Sequence, residues 1–282
     1  MEELALNAYA KINLTLDVLG TRPDGFHEVQ MVMQSVALAD KLYFQLAPEL
    51  SLTCTDPELP VDATNLVLKS ARVLQELYQV KRGATIHLEK HIPMAAGLAG
   101  GSSNAAATLW GLNILWDLRL APGELLRIGA QLGSDIPFCL IGGTALAQGR
   151  GERLTLLPQL PKQWLVLVKP DFGVATGEIY QKWDEAKRLA QPTSPQFIAA
   201  LEQGAQDKLW DSLDNHLEDV TCQLYPEVSV IKEKLLQTGA KKAVMSGSGP
   251  TVYGIMEGQE AAEQAARLLR KQYSQVFVTH TL

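Results

Sequence analysis

From Leu6 to Val18 the chain alternates strictly. Leu6, Ala8, Ala10, Ile12, Leu14, Leu16 and Val18 share one side, and Asn7, Tyr9, Lys11, Asn13, Thr15 and Asp17 the other. A two-residue period is that of a strand with one buried and one wetter face, so Lys11 is expected on a solvated side. Arg22-Pro23-Asp24-Gly25 carries turn chemistry, with proline presetting one dihedral and glycine supplying a positive φ. A second strand begins near Phe26, and further strands are predicted at 41–47, 51–55 and 84–89. Between 65 and 78 the period changes, and Val67, Ala71, Leu74 and Tyr78 line one face of a helix.

After Pro93 a glycine-rich loop leads into an Ala-rich helix over 103–116. A second helix follows over 124–132 and stops at Gly133, the usual place for a C-terminal glycine. The stretch 142–157 reads as a hairpin turning at Gly149 to Gly151. Pro158 and Pro161 then fall in a stretch without periodicity, which predicts a boundary between an N-terminal lobe, 1–158, and a C-terminal lobe, 159–282. Beyond it the pattern gives a strand (164–168), helices (176 to about 220, and 226–238), strands at 242–245 and 251–256, a helix (259–272) and a strand (275–279). That β-α-β-β-α-β order is ferredoxin-like, and the fold class is α+β.

Composition narrows the partners. A length of 282 residues accommodates two lobes, and a net charge of -6 argues against a surface built for nucleic acid or anionic lipid. Any phosphate site must therefore be local. Cys54, Cys139 and Cys222 are far apart and form no CxxC pair, which suits a reducing compartment. The first residues lack a basic segment followed by an apolar run, and no apolar stretch of about 18 residues occurs. We expect a cytoplasmic protein acting on small molecules, without nucleic acid or membrane, as a monomer or weak homodimer.

Three local patterns carry candidate chemistry. The run Met94-Ala95-Ala96-Gly97-Leu98-Ala99-Gly100-Gly101-Ser102-Ser103-Asn104 follows a predicted strand and opens a predicted helix, so backbone N–H groups and the positive helix end can converge on phosphate. It is neither GxxxxGK[ST], because no lysine follows the last glycine, nor GxGxxG, because Ala99 takes the second glycine position. Close helix–sheet packing is the plain alternative. Phosphoryl transfer also needs a cation and a carboxylate to take the hydroxyl proton. Lys11 on the first strand and Asp135 are the candidates, although a solvated lysine and a turn or capping aspartate are the commoner roles. Pro137 is expected to force an extended exit after Asp135. Asp171-Phe172-Gly173 has no accompanying kinase catalytic loop and reads as a turn, and Met245-Ser246-Gly247-Ser248-Gly249-Pro250-Thr251 is either a flexible hairpin or a close approach to ligand.

Three segments in order, AYAKINLTLDVLGTRPDGFHEV, IPMAAGLAGGSSNAAATL and MSGSGPTVYG, resemble the motifs of the GHMP kinase superfamily across most of the chain. AKINL followed by RPDGFHE is similar to the branch of that family whose substrate is a cytidine-diphosphate-linked methylerythritol. Homoserine- and mevalonate-type kinases of the family share mainly the glycine loop, and an inactive ligand sensor of the same fold would be expected to lose a catalytic residue, whereas Lys11 and Asp135 are both present. The resemblance implies a two-lobed fold of an N-terminal lobe with mixed sheet and helices and a ferredoxin-like C-terminal lobe. It also implies transfer of the ATP γ-phosphoryl group to the substrate's C2 hydroxyl, with Mg2+. By the same resemblance Asp135 takes the hydroxyl proton and Lys11 supports the charge. Pro93, Met94, Ala95, Ala96, Gly97, Leu98, Ala99, Gly100, Gly101, Ser102 and Ser103 correspond to the ATP phosphate loop. Phe26 and His27 correspond to the cytosine site, Asn13 to the polar neighbour of the lysine, and Tyr180 to a second aromatic wall. Phe26 stands where tyrosine is common, and Asn104 where aspartate is frequent. The metal ligands stay open, with Ser103 a candidate neighbour of Mg2+.

Overall fold

The computed structural model describes residues 2–186 and 191–282. Its contacts divide the chain into two compact units, one of Met1–Ala10, Leu38–Ile92 and Ala99–Gly142, the other of Lys11–Ala37, Pro93–Leu98 and Gly143–Leu282. Two long strands, β1 (Glu3–Thr21) and β2 (His27–Ala47), contribute residues to each. The sequence pattern suggests separate strands near 26 and 41, but β2 is continuous. Met31 to Val36 are buried on both faces, so no two-residue period marks the middle of the strand.

In the first unit β3 (Ser51–Cys54), α1 (Leu66–Tyr78) and β4 (Gly83–Glu89) follow. The C-terminal half of β2 pairs antiparallel with β4, Lys41 opposite Glu89 and Ala47 opposite Gly83, and β3 pairs parallel with β4. The Asn65 side chain accepts from Val67 N–H and starts α1, as a short polar side chain does for the orphan donors of a first turn. Helices α2 (Gly100–Leu115), α3 (Pro122–Leu132) and α4 (Ile136–Ile141) complete the unit. Its core joins Phe44, Leu74, Ile86, Leu88, Leu109 and Leu112, all buried. Gly111 lets α2 approach the sheet, because a Cβ there would sit 2.7 Å from the Phe44 ring.

One local expectation is corrected here. Pro137 does not force an extended exit: it lies in the first turn of α4, where its missing N–H has no helical partner to lose. Gly133 follows the last residue of α3, as expected, with extended backbone at φ 179.

In the second unit β5 (Thr144–Gly149) and β6 (Arg153–Leu156) form the expected hairpin, β5 pairing antiparallel with Val29 to Gln34 of β2. Next come β7 (Trp164–Lys169), α5 (Thr176–Glu185), α6 (Ser194–Glu202), α7 (Gln206–Asp211), β8 (Asp214–Asn215), α8 (Glu218–Leu224) and α9 (Glu227–Gln237). Then follow β9 (Lys242–Met245), β10 (Val252–Met256), α10 (Gln259–Leu269) and β11 (Gln275–His280). Strands order β11-β7-β10-β9, all antiparallel, the ferredoxin-like arrangement. The single helical stretch expected over 176–220 is instead several short helices. Positions 187–190 of that stretch lie outside the described residues. Gly204 has φ +66, which ends α6, and β8 pairs parallel with β1 at Thr15 and Leu16. Strand, glycine and helix signals at such short spacing blur into one weak helical pattern.

Candidate functional site

β1 carries the first cluster. Its polar side is not solvated: Lys11 is 4% exposed, and Asn13, Thr15 and Asp17 are buried too. A buried ammonium needs acceptors in place of water, and Lys11 Nζ donates to Asn13 Oδ1 at 2.7 Å and to Gly97 O at 3.2 Å. Lys11 N–H also donates to Leu98 O at 3.1 Å. Asn13 N–H donates to Ser246 Oγ at 3.4 Å, whose hydroxyl donates in turn to Gly97 O at 2.9 Å. Gly97 O thus receives both a serine and the lysine. Tyr253 Oη donates to Asn13 O at 2.9 Å, and burial pushes this phenol far above its ordinary pKa, keeping it a donor. The Ser246–Gly249 turn is held by Asn215 Nδ2, which donates to Met245 O and Gly247 O at 2.8 Å each.

Gly97 is the one position in the loop where glycine is obligatory on two counts. It has φ +72, and a Cβ would stand 2.1 Å from Ser246 O and 3.0 Å from Gly249 O. Ala95 (φ 47) and Ala99 (φ 56) hold left-handed backbone despite their side chains, a conformation that is costly outside glycine and concentrates at ligand sites. Pro93 to Leu98 belong to the second unit and Ala99 to Ser103 to the first. In the first unit, α2 begins without a side-chain cap and without an acidic residue in its first turn, so its N-terminal N–H groups and positive end are not compensated by side chains. Ser103 is buried and its hydroxyl donates to Tyr9 O at 2.6 Å. Asn104 Oδ1 is a buried acceptor with no hydrogen-bond partner among the described residues.

Asp135 lies in the first unit at the N-cap of α4, with φ -84 and ψ -13, and its carbonyl accepts from Cys139 N–H at 3.1 Å. Its side chain makes no capping hydrogen bond to the helix.

The turn before β2 carries the second cluster, within the second unit. Arg22 N–H donates to Phe26 O at 2.7 Å and Asp24 Oδ1 accepts from Phe26 N–H at 3.2 Å. Phe26 is 51% exposed, with the Arg150 guanidinium 4.9 Å from its ring centroid. His27 stacks on Tyr180 with centroids 4.5 Å apart and planes at 28°. Trp183 meets the imidazole edge-on at 6.1 Å, and Asp184 Oδ1 lies 2.9 Å from His27 Nε2. Lys11, Asn13 and Gly97 therefore come together, as do His27 and Tyr180. Residues 99–103 and Asp135 have the surroundings given above for the first unit.

Sequence reasoning missed Ser246, Tyr253 and Asp184 as supports of these clusters. Only the small-residue run around Ser246 carried a signal. It also missed the buried seam of Asp17, which accepts from Thr193 N–H, Thr193 Oγ1 and Ser194 N–H. His216 Nε2 lies 3.4 Å from the same carboxylate, while Nδ1 accepts from Val18 N–H. No group of three or more His, Cys, Asp or Glu side chains able to hold a metal ion occurs among the described residues. No helix among them is long and apolar enough to cross a membrane.

The family descriptions "GHMP kinases N terminal domain" and "GHMP kinases C terminal" match residues 65–143 and 197–275. A 4-diphosphocytidyl-2-C-methyl-D-erythritol kinase of Moorella thermoacetica is 50% identical over 286 residues, covering 100% of both chains. One of the same name from Pelotomaculum thermopropionicum is 48% identical over 97% of this chain and 96% of its own. A crystal structure of 4-(cytidine 5'-diphospho)-2C-methyl-D-erythritol kinase superposes with a TM-score of 0.82 at 32% identity, covering 99% of each chain. The chain belongs to the GHMP kinase family, among its 4-diphosphocytidyl-2-C-methyl-D-erythritol kinases.

Proposed function

We propose that the chain transfers the γ-phosphoryl group of ATP to the C2 hydroxyl of 4-diphosphocytidyl-2-C-methyl-D-erythritol, giving the 2-phosphate and ADP. The observation that carries this is half-identity over full length to a relative of that name, joined to an RPDGFHE segment that folds into an aromatic and polar cluster. In this reading Asp135 is the base that takes the C2 hydroxyl proton. Lys11, fixed by Asn13 and Gly97, stabilises charge on the reacting oxygens. The loop from Pro93 to Ser103 supplies backbone N–H groups to the ATP phosphates, as an uncapped helix start is suited to do. Phe26 offers a stacking face to cytosine, His27 reads its hydrogen-bonding edge with Tyr180 behind it, and Asn13 borders the substrate diphosphate.

Mg2+ is bound chiefly by phosphate oxygens and one or two protein oxygens in such sites. The chain offers oxygens suited to a cation of that kind: on α2, Asn104 Oδ1 has no hydrogen-bond partner among the described residues, and the Ser103 hydroxyl is one residue before it. When bound, the ion neutralises charge on the phosphates. The N-terminal lobe, 1–158, meets the C-terminal lobe, 159–282, in the aperiodic stretch that holds Pro158 and Pro161. The protein acts in the cytoplasm, as its three free cysteines suggest, as a monomer or weak homodimer. The test is ADP release from a panel of alcohols. Turnover on the cytidyl substrate at least about tenfold above homoserine and mevalonate supports the reading, and the reverse order refutes it.

A further inference from the structure

The second aromatic cluster contains a group that the proposed reaction does not use. Asp184 sits on α5 four residues after Tyr180, so both project from one face of the helix. Tyr180 stacks on the His27 ring and fixes its plane. Asp184 Oδ1, 2.9 Å from Nε2, fixes its rotation within that plane. Thr21 Oγ1 donates to the same carboxylate oxygen at 3.3 Å, tying it to β1. The His27 side chain is 10% exposed and that of Asp184 41%, so the imidazole is enclosed while its partner stands at the rim.

We propose that Asp184 is a positioning residue that sets base specificity by choosing the His27 tautomer. This rests on the reading above in which His27 faces the cytosine edge. A carboxylate accepts hydrogen bonds and cannot donate them, so the nitrogen facing it, Nε2, carries the proton. The neutral ring then keeps its lone pair on Nδ1, because which nitrogen is protonated is decided by the bond the other makes. An acceptor at Nδ1 pairs with the exocyclic amino donor of cytosine. Uracil presents a carbonyl oxygen there, and two acceptors face one another. The opposite tautomer would favour uracil, so without Asp184 the two bases become less distinct. An enclosed site that leaves a polar group unpaired rejects a ligand strongly, whereas a ring face alone accepts any base.

The test compares kcat/KM for the cytidine and uridine forms of the diphosphate substrate in wild type, Asp184→Ala, Asp184→Asn and His27→Ala. The cytidine-to-uridine ratio should fall by about tenfold or more in both Asp184 variants, mainly through KM for the cytidine form rather than through kcat. A merely structural role would lower both substrates alike and leave the ratio unchanged. An unchanged ratio in the Asp184 variants with a fallen ratio in His27→Ala overturns the tautomer assignment alone. An unchanged ratio in His27→Ala removes the cytosine reading itself, and this proposal with it. Nitrogen-15 NMR of wild type tests the assignment even if a variant fails to fold. In the neutral form of the ring it should find the proton on Nε2 of His27, and a proton on Nδ1 overturns the proposal.

Discussion

Gly97→Ala is the smallest change that tests how Lys11 is held. The added Cβ would lie 2.1 Å from Ser246 O, a backbone atom that cannot swing aside as a side chain could, and 3.0 Å from Gly249 O. Holding alanine at φ +72 adds about 1–2 kcal/mol, and overpacking against fixed atoms typically adds about 1–3 kcal/mol. The expected loss of stability is therefore roughly 2–5 kcal/mol. Relief of the clash must move Gly97 O, which accepts from both Lys11 Nζ and Ser246 Oγ. A displacement near 1 Å in a reacting group costs about 10²-fold in rate. Gly101→Ala is the control, since its Cβ would meet only Leu66 Cδ1 at 3.6 Å, an ordinary contact. Steady-state ADP release and urea unfolding should show Gly97→Ala impaired in both and Gly101→Ala stable. Gly97→Ala with turnover within about twofold of wild type and an unshifted midpoint refutes the reasoning.

Three further outcomes follow from the same geometry. Asp135→Asn and Lys11→Met should each lower kcat by about two to four orders of magnitude while ATP affinity, read by calorimetry, changes little; near-normal turnover in Asp135→Asn returns that residue to a turn role. Phe26→Ala should weaken binding of the cytidyl substrate by about 1–3 kcal/mol and leave ATP binding alone, and equal losses for both ligands contradict a stacking role. Asp40 is fully buried and accepts from His91 N–H, Ile92 N–H and Lys90 Nζ. Removing it takes the counter-charge from the buried Lys90 ammonium, which keeps an acceptor in Ile92 O, so Asp40→Ala should cost about 3–5 kcal/mol in urea unfolding, and a loss under about 1 kcal/mol would count against that pair.

The parts of this fold that were legible in the sequence are those where one element faces water on one side. The alternation of β1, the 3.6-residue period of α1 and the turn residues of the β5–β6 hairpin each leave a local mark. What stayed hidden depends on neighbours distant in sequence. Lys11 reads as a surface charge because alternation reports a strand but not what covers its polar side, here Ser246, Tyr253 and the Gly97 carbonyl. The two-residue β8 is too short for any period, yet it pairs with β1 at Thr15 and Leu16. Pro137 reads as an exit because the tendency of a residue before proline to be extended yields, in α4, to the tolerance of a helix's first turn for proline. Of the candidate site the motifs were legible, among them the small-residue run around Ser246, whereas the supports at Asp184 and Asn215 had to come from structure, since single polar residues at such separations carry no pattern.

The most direct test of the central claim is the identity of the product. The chain is incubated with ATP, Mg2+ and 4-diphosphocytidyl-2-C-methyl-D-erythritol, and the mixture is followed by phosphorus-31 and carbon-13 NMR. A new phosphomonoester resonance coupled to C2, growing in step with ADP while the substrate's diphosphate signals persist, is the predicted result. ADP formed without phosphate at C2, or phosphate placed on another hydroxyl, would contradict the account.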